Sequence, residues 1–268
     1  MTTTRLTGNT ARPIAGTARF TGRTALVTGA GSGIGRGIAL AFAAEGANVV
    51  VAGRRRELLD ETVQLIEATG GKALAVTADV SNAPDTEALV RAAVDRFGSL
   101  DVAVNNAGVF RGGPLADLSE EDWQAQLDAN VTGMFLALRA EIRQMRTQPS
   151  GGAIVNIAST FGVHTRSPGA TAYSATKAAV SVLTRGAALD HIREGVRINA
   201  VSPGAVETPM SLRPGEDAAA RAERAAATLP LGRISTTTEV AAAVLYLASD
   251  DAASVVGTDL VVDSGATA

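Results

Sequence analysis

The feature that most constrains this chain is a glycine-rich stretch at residues 24–37, TALVTGAGSGIGRG. Its apolar start indicates a buried strand, and the glycines that follow indicate a sharp turn into a helix near Ile34. One glycine lets the chain leave the strand, one lets backbone N–H groups approach a ligand, and Gly35 lets the helix pack closely on the strand. Because the N-terminus of a helix attracts anions, this stretch predicts a site for a dinucleotide pyrophosphate.

The stretch opens a longer alternation of strands and helices. The first helix runs to about residue 45, and residues 48–51 indicate a second buried strand, which completes one βαβ unit. Such alternation is typical of a parallel sheet covered on both faces, so we predict a single-domain, doubly wound α/β fold with strand order 3-2-1-4-5-6-7. The predicted strands cover residues 24–28, 48–52, 72–77, 100–105, 152–157, 196–201 and 259–262. The predicted helices cover residues 34–45, 56–69, 84–97, 119–146, 170–190 and 237–248.

Composition excludes several classes of function. The net charge of −3 and the pI near 5.5 offer no basic face for nucleic acid. No apolar run is long enough to span a bilayer, and the start of the chain has no apolar signal segment, so we expect a cytoplasmic protein without a membrane partner. The chain has no cysteine and only two histidines, His164 and His191, so we expect no metal site.

Two segments fall outside the regular alternation. Residues 1–20 are rich in Thr, Gly and Arg and have no acidic residue, which is a composition that transit peptides share. A transit peptide forms an amphipathic helix, however, and Gly8, Pro13 and Gly16 would interrupt one, so a disordered arm is favoured. The domain is therefore expected to span residues 21–268. Residues 205–232 follow the sixth strand, where a lid over a site would lie, although 217–227 alone also fit a surface helix with a solvated charged face.

Four residues form a candidate catalytic group. Tyr173 and Lys177 are four residues apart on one predicted helix, so their side chains lie on one face, where the cation is expected to lower the phenol pKa from about 10. Ser159 follows a strand at the edge of the sheet where ligands bind, and its hydroxyl can hydrogen-bond a carbonyl oxygen. Asn130 lies inside a long predicted helix, where it is either a tolerated helical residue or an amide that binds water.

Other polar or glycine-bearing segments fall at carboxyl ends of predicted strands. Asp79 and Val80 follow the third strand, residues 105–108 (NNAG) close the fourth, and Pro203 and Gly204 follow the sixth. Because parallel strands end at the same edge of a sheet, these segments are expected to meet Gly29 at one site.

Taken together, these motifs resemble the classical short-chain dehydrogenase/reductase family over residues 22–268. The resemblance implies a Rossmann-type fold, hydride transfer between NAD(P)(H) and a secondary alcohol or ketone, and a homotetramer. It implies that Tyr173 is the general acid or base, that Lys177 lowers its pKa and holds the nicotinamide ribose, that Ser159 orients the carbonyl, and that Asn130 supports a water relay. The other residues that it implies for cofactor binding are Gly29, Ser32, Gly33, Ile34, Gly35, Asp79, Val80, Asn105, Ala107, Gly108, Pro203, Gly204, Val206 and Thr208.

The residues after the second strand predict which cofactor is preferred. An NAD site usually has Asp or Glu there to accept hydrogen bonds from the ribose, whereas this chain has Gly53 followed by Arg54 and Arg55. A guanidinium binds phosphate through paired, charge-assisted hydrogen bonds, so we predict NADP(H), with NAD(H) possible. Solvated arginines at a helix start are the alternative, and Ser32 counts against NADP because NADP-dependent relatives often have a basic residue near it.

The substrate is not determined by the sequence. A 3-oxoacyl-thioester reductase of fatty-acid synthesis is the main alternative, and a dinucleotide-binding protein without turnover is another, although the latter would not need all four catalytic residues. Residues 160–169 and 206–213 are expected to form the pocket, where His164 and Arg166 either recognise an acidic or polar substrate or are solvated. Surplus apolar and small residues on helices 119–146 and 170–190 predict packing on a second copy. These residues are Ala137, Leu138, Ala178, Ala179, Val182, Leu183 and Ala187.

Overall fold

The computed structural model describes residues 18–213 and 215–268 and contains one seven-stranded parallel sheet with the predicted order β3-β2-β1-β4-β5-β6-β7. The strands are β1 (Thr24–Thr28), β2 (Asn48–Gly53), β3 (Lys72–Thr77), β4 (Val102–Asn105), β5 (Gly152–Ile157), β6 (Val196–Pro203) and β7 (Asp259–Val262). The helices are α1 (Gly33–Ala44), α2 (Arg56–Glu67), α3 (Ala83–Phe97), α4 (Glu120–Leu127), α5 (Gly133–Met145), α6 (Thr171–His191), α7 (Ala218–Thr228) and α8 (Thr237–Ala248).

Helices cover both faces of the sheet, which explains why its central strands are continuous apolar runs. Successive side chains of a strand point to opposite faces, so Val49 and Val51 pack with α1 and α8, whereas Val50 packs with α3 and α5. No helix of the described ranges combines the length and the apolar character that crossing a membrane requires.

The domain begins before residue 21. Phe20 is fully buried, and its ring meets that of Phe42 at a centroid distance of 4.9 Å. Arg19 Nη2 lies 3.0 Å from Oε1 of the buried Glu45. Residues 19 and 20 therefore belong to the packed domain rather than to the expected arm. A disordered arm that included Phe20 would expose its ring to water. The rest of the expected arm, residues 1–17, lies outside the described residues.

The single helix predicted over residues 119–146 is wrong in its middle. A π-helical turn at Asp128–Thr132 separates α4 from α5, and it contains Asn130. Such turns widen the backbone spacing locally and are frequent at functional sites. Here the turn presents the buried Asn130 amide to neighbouring elements instead of to its own helix.

The segment 217–227, which fitted either a lid or a surface helix, lies in and just before the helix α7 that follows β6. Asp217 caps it by accepting a hydrogen bond from Ala220 N at 2.8 Å. Arg221 Nη1 donates to Thr208 O at 3.2 Å and to Ser211 Oγ at 3.1 Å, so the helix is tied to the chain that leaves β6. That this segment acts as a lid stays a prediction, and protection of the segment from proteolysis by bound cofactor would test it.

Candidate active site

The turn between β1 and α1 requires its glycines. Gly29 and Gly33 have φ values of 66° and 54°, in the left-handed region that favours glycine. A Cβ atom on Gly35 would lie 2.3 Å from Gly29 O, and one on Gly33 would lie 3.2 Å from Thr208 Cγ2. The turn therefore packs tightly on α1 and approaches the segment after β6, so two of the predicted cofactor segments are adjacent.

The N-terminus of α1 fits a pyrophosphate. Ser32 precedes the helix but makes no side-chain capping bond, and the first turn has no acidic residue. Side chains cap the N-termini of α3, α4, α7 and α8, whereas α2, α5 and α6 have no side-chain cap either. What favours an anion at α1 is the absence of a cap together with the glycine turn that precedes the helix. The side chain of Ile34 is partly buried and packs against the core.

Asn106 joins the glycine turn to β4. Its Nδ2 donates to Thr28 O at 2.9 Å, and its backbone N donates to Thr28 Oγ1 at 3.0 Å. Ala107 N donates to the same hydroxyl at 3.1 Å. Asn106 belongs to the segment 105–108 that was expected to meet Gly29, whereas the role of Thr28 in holding this segment was not predicted.

Asn105 faces the interior rather than the ligand edge of the sheet. Its Nδ2 donates to Glu141 Oε2 at 2.9 Å and to Asn156 Oδ1 at 3.1 Å. Asn156 Nδ2 in turn donates to Thr184 Oγ1 at 2.9 Å, so the network joins β4 and β5 to α5 and α6. The side chain of Asn105 thus supports the sheet below the site, and a cofactor contact can come only from its backbone.

Glu141 in this network makes stability depend on pH. Burial raises its pKa from 4.5 to about 7, while the Asn105 hydrogen bond acts in the opposite direction. The unfolded chain loses this proton near pH 4.5, before the folded one, so stability falls as pH rises through about 7, by about 3 kcal/mol in all. Glu141→Gln keeps an acceptor for Asn105 and removes the charge.

We therefore expect the unfolding free energy of Glu141→Gln, relative to wild type, to rise by about 3 kcal/mol between pH 4.5 and pH 8. Urea unfolding at the two pH values measures it. Glu67→Gln, on the exposed end of α2, is the matched control and should show no such trend. A difference between Glu141→Gln and wild type that does not change with pH would contradict this explanation.

Lys177 and Tyr173 lie on one face of α6, as predicted. Lys177 is buried, and its Nζ donates to Ile157 O at 2.7 Å, at the carboxyl end of β5. The same Nζ lies 5.9 Å from the centroid of the Tyr173 ring. Burial lowers the pKa of Lys177 to about 8, so at neutral pH the side chain is still mostly charged.

The Ser159 hydroxyl lies close enough to the Tyr173 phenol to act on its pKa. Burial raises the pKa of Tyr173 to about 12, and Ser159 lowers it only in part. Removal of the phenol from water outweighs the effect of Ser159, so this pKa lies above its usual value, and the lowering expected from Lys177 stays a prediction. At neutral pH Tyr173 is protonated and next to a hydroxyl that can orient a bound carbonyl oxygen.

Asn130 completes the predicted catalytic group. Its Oδ1 accepts from Val109 N at 2.8 Å, and its Nδ2 donates to Val109 O at 2.9 Å and to Thr176 Oγ1 at 3.0 Å. A Cβ atom on Gly108 would lie 2.9 Å from Asn130 Oδ1 and 3.6 Å from Lys177 Nζ, so both side chains approach this glycine. Thr176, which holds Asn130 from α6, was missed in the sequence.

The arginines after β2 differ in their partners. Arg56 Nε binds Asp60 Oδ1 at 2.8 Å within α2, whereas Arg54 and Arg55 are exposed and form no ion pair with another described residue. The Ser81 side chain is the main cause of a lowered pKa at Asp79, and the charge of Arg54 adds to it. Asp79 and Arg54 therefore lie near each other beyond the ends of β2 and β3.

The segment that leaves β6 is held at its root. Pro203 O accepts from Thr160 N at 3.1 Å, and a Cβ atom on Gly204 would lie 2.7 Å from Asp263 Cβ. Val206 is buried, so its side chain packs in the core. On the β5 side, His164 Nε2 lies 3.2 Å from Asp259 Oδ2 of β7, and a role of His164 in the pocket stays a prediction.

These features place a protonated phenol, a hydroxyl and a buried ammonium beside a glycine turn, which is the arrangement of a dinucleotide-dependent oxidoreductase that acts on alcohol or carbonyl groups. A family model described as enoyl-(acyl carrier protein) reductase matches residues 29–267. The 3beta-hydroxysteroid dehydrogenase 1 of Eggerthella lenta is 41% identical over 92% of this chain and 94% of its own. The 3-oxoacyl-acyl-carrier-protein reductase FabG of Thermotoga maritima is 38% identical over 92% and 98%.

Solved structures give the same result. Levodione reductase superposes with a TM-score of 0.87 at 35% identity and covers 92% of this chain and 98% of its own. A short chain dehydrogenase from Mycobacterium smegmatis superposes with a TM-score of 0.82 at 35% identity, over 94% and 96% of the two chains. The chain belongs to the short-chain dehydrogenase/reductase family.

Proposed function

We propose that the protein transfers a hydride between NADP(H) and a secondary alcohol or ketone, with Tyr173 as general acid and base. The observation that carries this proposal is that the Ser159 hydroxyl, the Tyr173 phenol and the buried Lys177 ammonium lie together at the carboxyl edge of the sheet. When bound, the nicotinamide supplies the hydride for reduction and accepts it in oxidation.

Each of the four catalytic residues would have its own role in the reaction. In reduction, Tyr173 gives its proton to the carbonyl oxygen, and Ser159 orients that oxygen through its hydroxyl. Lys177 keeps a positive charge near the phenol and stabilises the phenolate that remains. Asn130 holds the backbone of Val109 through two hydrogen bonds. A water relay from Lys177 to solvent would begin next to Asn130.

The preference for NADP(H) over NAD(H) rests on the end of β2. Gly53 has no carboxylate to repel a 2′-phosphate, and the exposed Arg54 and Arg55 are available to bind one. The glycine turn, Asp79, Val80 and residues 107–108 would hold the remainder of the cofactor, with Thr208 nearest the nicotinamide end.

The rival function is reduction of a 3-oxoacyl thioester, which the similarity to FabG favours. A panel of ketones and 3-oxoacyl thioesters, assayed by nicotinamide absorbance with NADPH and NADH, separates the two. Turnover of simple ketones supports the proposal, turnover of thioesters alone supports the rival, and cofactor binding without any turnover supports the non-catalytic alternative.

We also infer a cytoplasmic homotetramer. Large apolar side chains are exposed on α5 and α6, including Phe135, Val182 and Leu189, and a second copy would cover them. Light scattering at micromolar concentration should give four times the mass of 27.2 kDa. A monomeric mass would contradict the assembly but not the enzymatic proposal.

A further inference from the structure

Arg36 lies on α1 directly after the glycine turn, and its side chain crosses to α2 instead of extending into water. Its Nη2 donates to Gly31 O at 2.6 Å, and its Nε donates to Thr62 Oγ1 at 3.0 Å. The same Nη2 lies 3.3 Å from Leu58 O and 2.8 Å from Glu61 Oε2. The guanidinium therefore joins the turn to three residues of α2, where one carboxylate balances its charge.

Thr62 makes a second connection between the turn and α2. Its side chain is fully buried, and its hydroxyl lies 2.9 Å from Ala30 O, within hydrogen-bond distance. A Cβ atom on Gly31 would lie 3.0 Å from Leu58 Cβ, so the backbone of the turn packs directly on this helix. Arg36 and Thr62 thus hold the carbonyl oxygens of two successive residues of the turn on the side of α2.

Fixing these two oxygens also fixes two amide groups of the turn. The C=O and N–H groups of a trans peptide lie in one plane and point in opposite directions. Because Ala30 O and Gly31 O point to α2, the N–H groups that follow them, of Gly31 and Ser32, point away from it. Neither N–H group donates to another described residue. Both are therefore available to an anion at the turn, in an orientation that depends on Arg36.

Direct contact with a cofactor phosphate is the competing role for Arg36. Its Nη1 makes no hydrogen bond with another described residue and could donate to a phosphate. However, the Glu61 carboxylate lies against the same guanidinium and would repel a phosphate there. The contacts that Arg36 does make are with the turn and α2, so they favour a role through the backbone of the turn.

We propose that Arg36 is a positioning residue for cofactor binding, which holds the glycine turn against α2 so that the N–H groups of Gly31 and Ser32 face the pyrophosphate. It does so without touching the cofactor. The inference rests on the proposed function, because it concerns how the same site binds its dinucleotide. Since NADP(H) and NAD(H) share the pyrophosphate, this role is the same for both.

Calorimetric titration with NADP⁺ and with NAD⁺, in the absence of substrate, tests this role. Arg36→Met keeps an unbranched apolar stem and removes the hydrogen bonds, so it should raise Kd about tenfold for both cofactors and leave the ratio of the two Kd values unchanged. Arg36→Lys keeps the charge but not the planar fork and should weaken both almost as much. Arg91→Met, which removes an exposed arginine of α3, is the matched control and should leave both Kd values unchanged.

Steady-state rates separate positioning from a general loss of structure. In Arg36→Met the KM for cofactor should rise while kcat at saturating cofactor stays near the wild-type value. A lower kcat with unchanged KM would overturn the inference, because it would reflect a smaller fraction of folded protein. Thr62→Val removes only the hydroxyl and serves if Arg36→Met does not fold. It should also raise both Kd values, and wild-type Kd values in this variant would count against the inference.

Three binding results would overturn the inference. A larger loss for NADP⁺ than for NAD⁺ in Arg36→Met would show a direct contact with the 2′-phosphate. Wild-type affinity in Arg36→Lys would show that the charge alone matters. If wild type binds a dinucleotide and Arg36→Met binds it equally well, this inference alone fails; if wild type binds neither dinucleotide, the proposed function fails with it.

Discussion

Tyr173→Phe is expected to lower kcat for ketone reduction by about 10²–10⁴-fold, the usual contribution of general acid–base catalysis. The variant keeps the aromatic ring that packs against Phe110 and removes only the hydroxyl, which lies near Ser159. The Ser159 hydroxyl can donate a hydrogen bond to the substrate oxygen but is a much weaker acid than a phenol, so the loss falls on the chemical step. Steady-state rates at saturating ketone and cofactor measure it.

The second tyrosine of the chain supplies a matched control. Tyr246 lies on α8 and is partly exposed, away from the catalytic group, so Tyr246→Phe should leave kcat unchanged. Cofactor Kd should be the same in Tyr173→Phe and wild type, because the ring and Lys177 remain in place. Retention of a tenth or more of wild-type activity by Tyr173→Phe would show that another group supplies the proton.

Gly53→Asp/Arg54→Ile is expected to reverse the cofactor preference. Wild type should have the higher kcat/KM with NADPH, and the double variant should lower the NADPH-to-NADH ratio about 100-fold. Loss of one charge-assisted hydrogen bond to phosphate contributes about 1.5–3 kcal/mol, and repulsion from the new carboxylate adds to it. The ratio is obtained from initial rates with each cofactor at limiting concentration.

Arg56→Ile is the control for this exchange, because Arg56 is already paired with Asp60 in its own helix. It removes a charge from the same short segment and should leave the ratio nearly unchanged. Wild type that prefers NADH would contradict the NADP assignment. So would a double variant with the wild-type ratio, since Arg54 would then make no contact with the extra phosphate.

Much of the fold could be predicted because its signals are local. Strands buried on both faces give apolar runs such as residues 48–52, and the glycine turn at residues 29–35 fixes where β1 ends and α1 begins. The π-helical turn at Asp128–Thr132 could not be predicted, because residue propensities do not distinguish it from the α-helix around it. Burial of Phe20 was missed because its partner Phe42 lies in a different predicted element.

The candidate site could be predicted only in part, because some of its contacts join residues that are far apart in the sequence. The spacing of Tyr173 and Lys177 places them on one helix face, but the contact of Asn106 with Thr28 joins residues 78 positions apart and leaves no periodic pattern. The pKa of the Tyr173 phenol could not be predicted from the sequence either. The sequence displays the cation that would lower it but not the burial that raises it to about 12.

Hydride transfer to a carbonyl carbon in this site can be followed with an isotope label on the cofactor. The ketone that turns over fastest is reduced with NADPH carrying deuterium at C4 of the nicotinamide, in each of the two stereochemical forms. The alcohol is then analysed by mass spectrometry and NMR. One of the two forms should give an alcohol with one deuterium on the carbinol carbon. Hydride transfer would be contradicted if neither form transferred deuterium to that carbon.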